Sequence, residues 1–285
     1  MMMVGKVPGD TAASVSAVGM TNQPMFLGLS LIQALNVGGT AIIARYFGAK
    51  KYNRMGSILK HVMILAMVFC VTPAAILMLI FAPEILSLMG ADETVINVGL
   101  NYFRIVTIGF IFQSLSFTVT AALRGIGETK IPMKNNIIAN SCNVLGNAIL
   151  IYGMFGFPAL GVTGAAISTA LSNLIAMGLN IRYILSGKSV LKLDFKEKFE
   201  FNVNVMRDLV RIGIPTALEQ MALRFGVIMF LKIVSGLGNN VYAAHQIALN
   251  VLSLSYSPAQ AFGITASSLM GQSLGAKNEK LAERY

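Results

Sequence analysis

The chain has 285 residues, of which 55% are hydrophobic and only 12% charged, with a mean hydropathy of +0.69. A soluble domain carries roughly twice that charged fraction, so a soluble globular protein is excluded. A net charge of +10 and a pI near 9.7 would suit a nucleic-acid partner, but the placement of the charges described below excludes that class too.

Residues 1–8 read as the tail of a helix, with no cleavable signal peptide. Seven apolar stretches follow at 14–46, 57–82, 95–123, 132–154, 160–186, 207–235 and 241–273. Each exceeds the roughly 20 helical residues needed to cross a bilayer. The segment 83–94 reads as a short connection with an amphipathic start, and FGFPALG at 155–161 as a tight Gly/Pro turn. Residues 187–206 form the only long charged stretch and read as a linker between two lobes. The expected division is an N-lobe over 1–186, the linker over 187–206, and the start of a C-lobe over 207–285. Cys70 and Cys142 fall inside separate spans without metal or redox spacing.

The chain repeats part of itself. Residues 9–50 lie over 236–277 without a gap, and both copies close on Gly-Ala-Lys, at Gly48-Ala49-Lys50 and Gly275-Ala276-Lys277. Six spans per repeat is an even number, so the repeats are parallel and related by an axis along the membrane normal. The fold expected is all-α integral membrane, built of six-helix repeats forming two lobes. On repeat length, about 20 residues are expected before Met1 and on the order of 150 after Tyr285, giving about twelve helices in all.

Of the 22 Lys and Arg, 18 fall in the segments 45–61, 124–134, 182–211 and 277–284. These are alternate connections, and the positive-inside rule assigns them to the cytoplasm, in a multi-pass inner (plasma) membrane protein. Nucleic acid is therefore not an expected partner; the lipid bilayer is.

Polar groups inside a bilayer are costly, so their positions are informative. Asn136, Asn140, Asn143 and Asn147 recur at +4, +3, +4, which puts four carboxamides on one helix face. Gln246, Asn250, Ser253, Ser257, Gln260 and Ser267 share such a spacing in the second repeat, and Gln23, Ser30, Gln33 and Thr40 lie in matching register in the first. These residues are expected to line a wet cavity; the serines and threonines among them read as interhelical glue. Glu219 lies about ten residues into its helix, at roughly 15 Å depth, one turn after Pro215. A carboxyl there suits a proton or cation carrier. Arg224 is turned about 140° from it, a poor geometry for an intrahelical pair. No nucleophile–base constellation, metal cluster or phosphate loop is present, so no enzyme and no cofactor is expected.

The runs MVGKVPGD, ARYFGAKK, LRGIGETKIPM, GFPALGVTGAAIST, GIPTALEQ and AAHQIALN, in this order, resemble the multidrug and toxic compound extrusion (MATE) transporters over essentially the whole chain. The resemblance implies a monomeric two-lobe antiporter that expels small organic cations and amphipathic compounds in exchange for sodium ions or protons. It also implies that Glu219 is the family's seventh-helix carboxylate. Asn143 and Asn147 match an Asn-x-x-x-Asp pair of an N-lobe cation site, to which Thr169 contributes. Here the Asp is Asn147, one negative charge fewer. The competing reading is a lipid-linked oligosaccharide flippase of related plan, which calls for a basic cavity.

Overall fold

The computed structural model describes residues 11–156, 158–193, 201–236 and 239–285; the side chains of 11–16 and of several positions between 228 and 257, Gln246 and Asn250 among them, lie outside that description. Long helices account for the apolar stretches one for one. They are α1 (Thr11–Gly48), α2 (Tyr52–Leu65) continued through a π-helical turn into α3 (Thr72–Ile80), α4 (Ala82–Leu88), α5 (Glu93–Gly125), α6 (Lys130–Tyr152), α7 (Gly161–Leu185), α8 (Val203–Gly236), α9 (Asn239–Gly275) and α10 (Glu279–Arg284). Helix α8 thus begins inside the segment read as linker.

Local chemistry sets several of these boundaries. Pro73 brings no N–H to the helix, and the wider π turn over Ala66–Val71 directly precedes it, which lets α2 and α3 run on as one span of 29 residues. Asp92 caps α5 by accepting from the Val95 backbone N–H at 3.0 Å. That bond, with a second from Thr94, holds the Asp92 carboxyl below its ordinary pKa. Gly153 ends α6 in the left-handed conformation at φ 71°.

Helix α1 is the axle of the molecule, packing against α5, α8 and α9, while α7 is wedged between α5 and α6. One core, at one end, joins Ile43 of α1, Met55, Ile58 and Leu59 of α2, Leu123 of α5, Leu191 of the connector between α7 and α8, and Leu209 of α8. A second joins Ile32, Val71, Leu86, Phe103 and Phe110.

The internal repeat is visible at atomic level. Lys50 and Lys277 both adopt φ 58°, a conformation uncommon outside glycine. Their turns share a hydrogen-bond pattern: Ala49 N to Arg45 O and Ala276 N to Gln272 O, then Lys51 N to Tyr46 O and Asn278 N to Ser273 O. The two copies also meet one another. A methyl on Gly48 would run into the Gln272 carbonyl, and a methyl on Gly275 into the Arg45 carbonyl. These contacts are reciprocal under the repeat offset of 227 residues, so a local two-fold axis passes between the ends of α1 and α9. Only glycine allows backbones this close.

The Gln272 amide then donates to Gly125 O at 2.8 Å, Gly56 lies under the Lys192 carbonyl, and His61 meets Asn202. These contacts gather the four basic segments at one end. Away from it, α9 departs from the bundle: Ser268, Gly271 and Ser273 are buried, whereas Leu254 and Phe262 are 75% and 78% exposed.

Candidate functional site

The polar residues of the α6–α7 seam form two clusters. Nearer the basic end, the Asn135 amide donates to Asn180 Oδ1 at 2.7 Å. The Asn180 amide in turn donates to Ser116 Oγ at 2.9 Å and Thr120 Oγ1 at 3.3 Å on α5. All four residues are buried, and the network ties three helices together.

Three turns along α6 lies the second cluster. The Asn147 amide donates to Asn143 Oδ1 at 2.9 Å. The Asn143 amide donates to Thr169 Oγ1 at 3.4 Å and Ser172 Oγ at 3.3 Å. The two hydroxyls spend their own protons on α7 carbonyls, Thr169 on Ala165 O at 2.8 Å and Ser172 on Thr169 O at 2.9 Å. Ser168 donates to Asn143 O at 2.9 Å across the seam. The helices come this close because Gly146 lies against Ser168 and Gly164 against the Leu150 carbonyl. The relay runs one way, from Asn147 to the α7 backbone. It leaves Asn147 Oδ1 buried with no hydrogen-bond partner among the described residues. A buried acceptor in that position is costly unless a donor or cation meets it.

The structure therefore brings together Asn143, Asn147 and Thr169. Asn136 and Asn140 are exposed, because the buried face of the first half of α6 runs through Pro132, Asn135 and Ala139, a step to the side of the amide stripe. Gln33 on α1 and Gln260 on α9 are exposed as well, and the side chains of Gln246 and Asn250 lie outside the described residues. Three buried amides escaped the sequence reading: Asn135, Asn180 and Asn36, whose Oδ1 finds no partner among the described residues. The signal was present, since an amide within an apolar span needs a partner wherever it points.

Glu219 belongs to a different region. It lines a cavity of about 580 Å³ between α8 and α9, together with Leu223, Val227, Phe230, His245 and Leu249. The α8 residues recur every three or four positions, so one helix face forms the wall. The Phe230 and His245 rings meet edge to face at 5.4 Å. Arg224 points elsewhere, with its guanidinium over the Phe26 ring of α1, 6.0 Å from the centroid.

Apolar helices of membrane-spanning length, two copies of one unit meeting across a local axis, and amide clusters buried between helices define an all-α integral membrane protein with an internal repeat. The chain belongs to the MatE family, whose pattern matches residues 1–149 and 215–285; the family is one of transporters, not enzymes. It is similar to the probable multidrug resistance protein YoeA of Bacillus subtilis (strain 168), 32% identical over 282 residues, covering 97% of this chain and 59% of that protein. It is likewise similar to the probable multidrug resistance protein NorM of Thermotoga maritima, 29% identical over 272 residues, covering 94% of this chain and 57% of the relative. The chain thus spans under two thirds of the length of these relatives. In fold it matches the crystal structure of MATE in the bent conformation, with a TM-score of 0.89 at 23% identity, covering 99% of this chain and 62% of that one.

Proposed function

We propose that this chain is part of a secondary antiporter that exports cationic and amphipathic small molecules in exchange for sodium ions or protons. The observation that carries the reading is the α8–α9 cavity, where a single carboxylate, Glu219, stands on a wall that is apolar except for His245. An organic cation offers such a wall apolar surface and offers the carboxylate a charge, and each offsets the desolvation of the other. The relatives described as probable multidrug resistance proteins support the same substrate class. The flippase reading is set aside: the residues lining the cavity include an acid and no Lys or Arg.

In this reading Asn143, Asn147 and Thr169 offer neutral oxygens to the coupling cation, with Asn147 Oδ1 the open acceptor. Gln33, Asn136, Asn140 and Gln260, all exposed, face the wet space between lobes. The basic end faces the cytoplasm of a cell whose plasma membrane the protein spans. Binding of the coupling ion and of the drug weaken one another, which is what exchange requires.

The test is Glu219→Gln, expressed from the native reading frame in cells lacking their own efflux pumps. Abundance in the membrane stays normal, while efflux of a fluorescent organic cation falls at least about ten-fold, the scale of one lost charge contact. Undiminished efflux at normal abundance would falsify the role of Glu219.

A further inference from the structure

We infer that His61 is a proton-sensitive latch that holds the connector and the first turn of α8 against α2. His61 is fully buried, and its two ring nitrogens face opposite kinds of group. Nδ1 lies 2.7 Å from Ser57 O. A carbonyl only accepts, so Nδ1 carries the proton. At the other side of the ring, the backbone N–H of Asn202 donates to Nε2 at 2.9 Å, which requires a lone pair there. Together the two bonds demand a neutral ring in one tautomer.

The contact spans 141 residues of chain and lands on a sensitive point. Asn202 precedes α8, and its Oδ1 accepts from the Asn204 and Val205 backbone N–H groups at 3.0 and 3.4 Å. The Asn202 side chain thus caps the helix, and His61 satisfies the backbone N–H of the cap itself. Phe201 adds a ring contact to His61 at 5.8 Å. On the other flank of α2, Leu191 and Leu193 pack into the same core as Met55, Ile58, Leu59 and Val62, and Gly56 admits the Lys192 carbonyl. The connector grips α2 from both sides, with His61 in the grip.

A second proton on the ring would place an N–H donor at Nε2 facing the N–H of Asn202. Donor then meets donor, and the contact opens. Among the described residues, the charged groups on the elements packed here are Arg54 and Lys60 of α2, Lys188 and Lys192 of the connector, and Arg207, Asp208 and Arg211 of α8; all but Lys60 are exposed. The sign follows: the latch is closed at high pH and opens as pH falls. An unperturbed histidine changes charge between about pH 5 and 8.

The experiment is hydrogen–deuterium exchange of the whole chain in detergent, reading the amides of residues 201–206 at several pH values, each corrected for the intrinsic pH dependence of exchange. It needs no substrate and is independent of the transport reading. Protection falls about ten-fold between pH 8 and 5.5, the scale of one hydrogen bond. In His61→Gln, whose amide oxygen accepts from Asn202 at every pH, protection stays high and flat. Wild-type protection that ignores pH overturns the latch, and so does the same pH dependence in His61→Gln. If that variant fails to fold, nitrogen NMR of the wild-type imidazoles decides, with His61 and His245 told apart by the variant His245→Gln. A His61 ring protonated on Nε2 at pH 8 overturns the proposal; one protonated on Nδ1 alone, and gaining its second proton as protection is lost, supports it.

Discussion

The two amide clusters on α6 have nearly the same parts and opposite logic. At Asn135 and Asn180 both polar atoms of the bridging Asn180 carboxamide are paired: its oxygen accepts once and its nitrogen donates twice, all within buried surroundings. At Asn143 and Asn147 the hydrogen bonds run out on one side, leaving a buried oxygen open. A closed network holds helices together, whereas an open one is prepared for something that is not protein. The contrast separates glue from site on a single helix pair, which residue type alone does not.

The comparison is broken most sharply at Asn180. Asn180→Ala removes three hydrogen bonds at roughly 0.6 kcal/mol each, so unfolding in detergent should lose about 2 kcal/mol. Thermal melts followed by helical circular dichroism check this, and an unchanged melting temperature would assign the closed cluster no structural role. A smaller effect sharpens the other side. Asn147→Asp places a charge at the open acceptor itself, so sodium chloride should stabilise the variant over choline chloride by about 1.4 kcal/mol, the linkage expected when the ion stands near ten times its Kd. The wild type, neutral there, should respond less. Equal responses from the two would detach Asn147 from cation binding. The smallest effect is Asn140→Ala. Asn140 lies on the amide stripe but is exposed, so its loss should stay within about 0.5 kcal/mol. A larger loss in the same melts would mean that Asn140 belongs to the buried seam.

Much of this was legible in the sequence. The apolar stretches became helices, and the repeat closing on Gly-Ala-Lys returned as two turns with one hydrogen-bond pattern. The pairing of Asn143 with Thr169 also followed, through family resemblance and not through spacing. The spacing grouped Asn136 and Asn140 with Asn143 and Asn147, since all four share a helical face. It carried no information about where α7 lies against that face. Asn135 was missed because it stands one residue off the stripe, about 100° around the helix, and that direction points at α7. Asn180 was missed because an isolated amide on α7 gives no sign that α5 and α6 both reach it. Periodicity describes one helix at a time, and these residues are defined by three.

The reciprocal crossing of Gly48 and Gly275 also fixes an order of events during synthesis. Its two halves lie 227 residues apart in the chain. At about 5–20 residues per second, roughly 10–45 seconds separate the emergence of one half from that of the other. For that interval the end of α1 packs on α2 and α5 without its repeat mate, and the Gly125 carbonyl, made 147 residues before Gln272, awaits the amide that will cover it. The last turn of α9 is therefore a late arrival that seats into a bundle already assembled. A bulky residue at Gly275 should leave α1 to α7 folded while failing at the docking of α9.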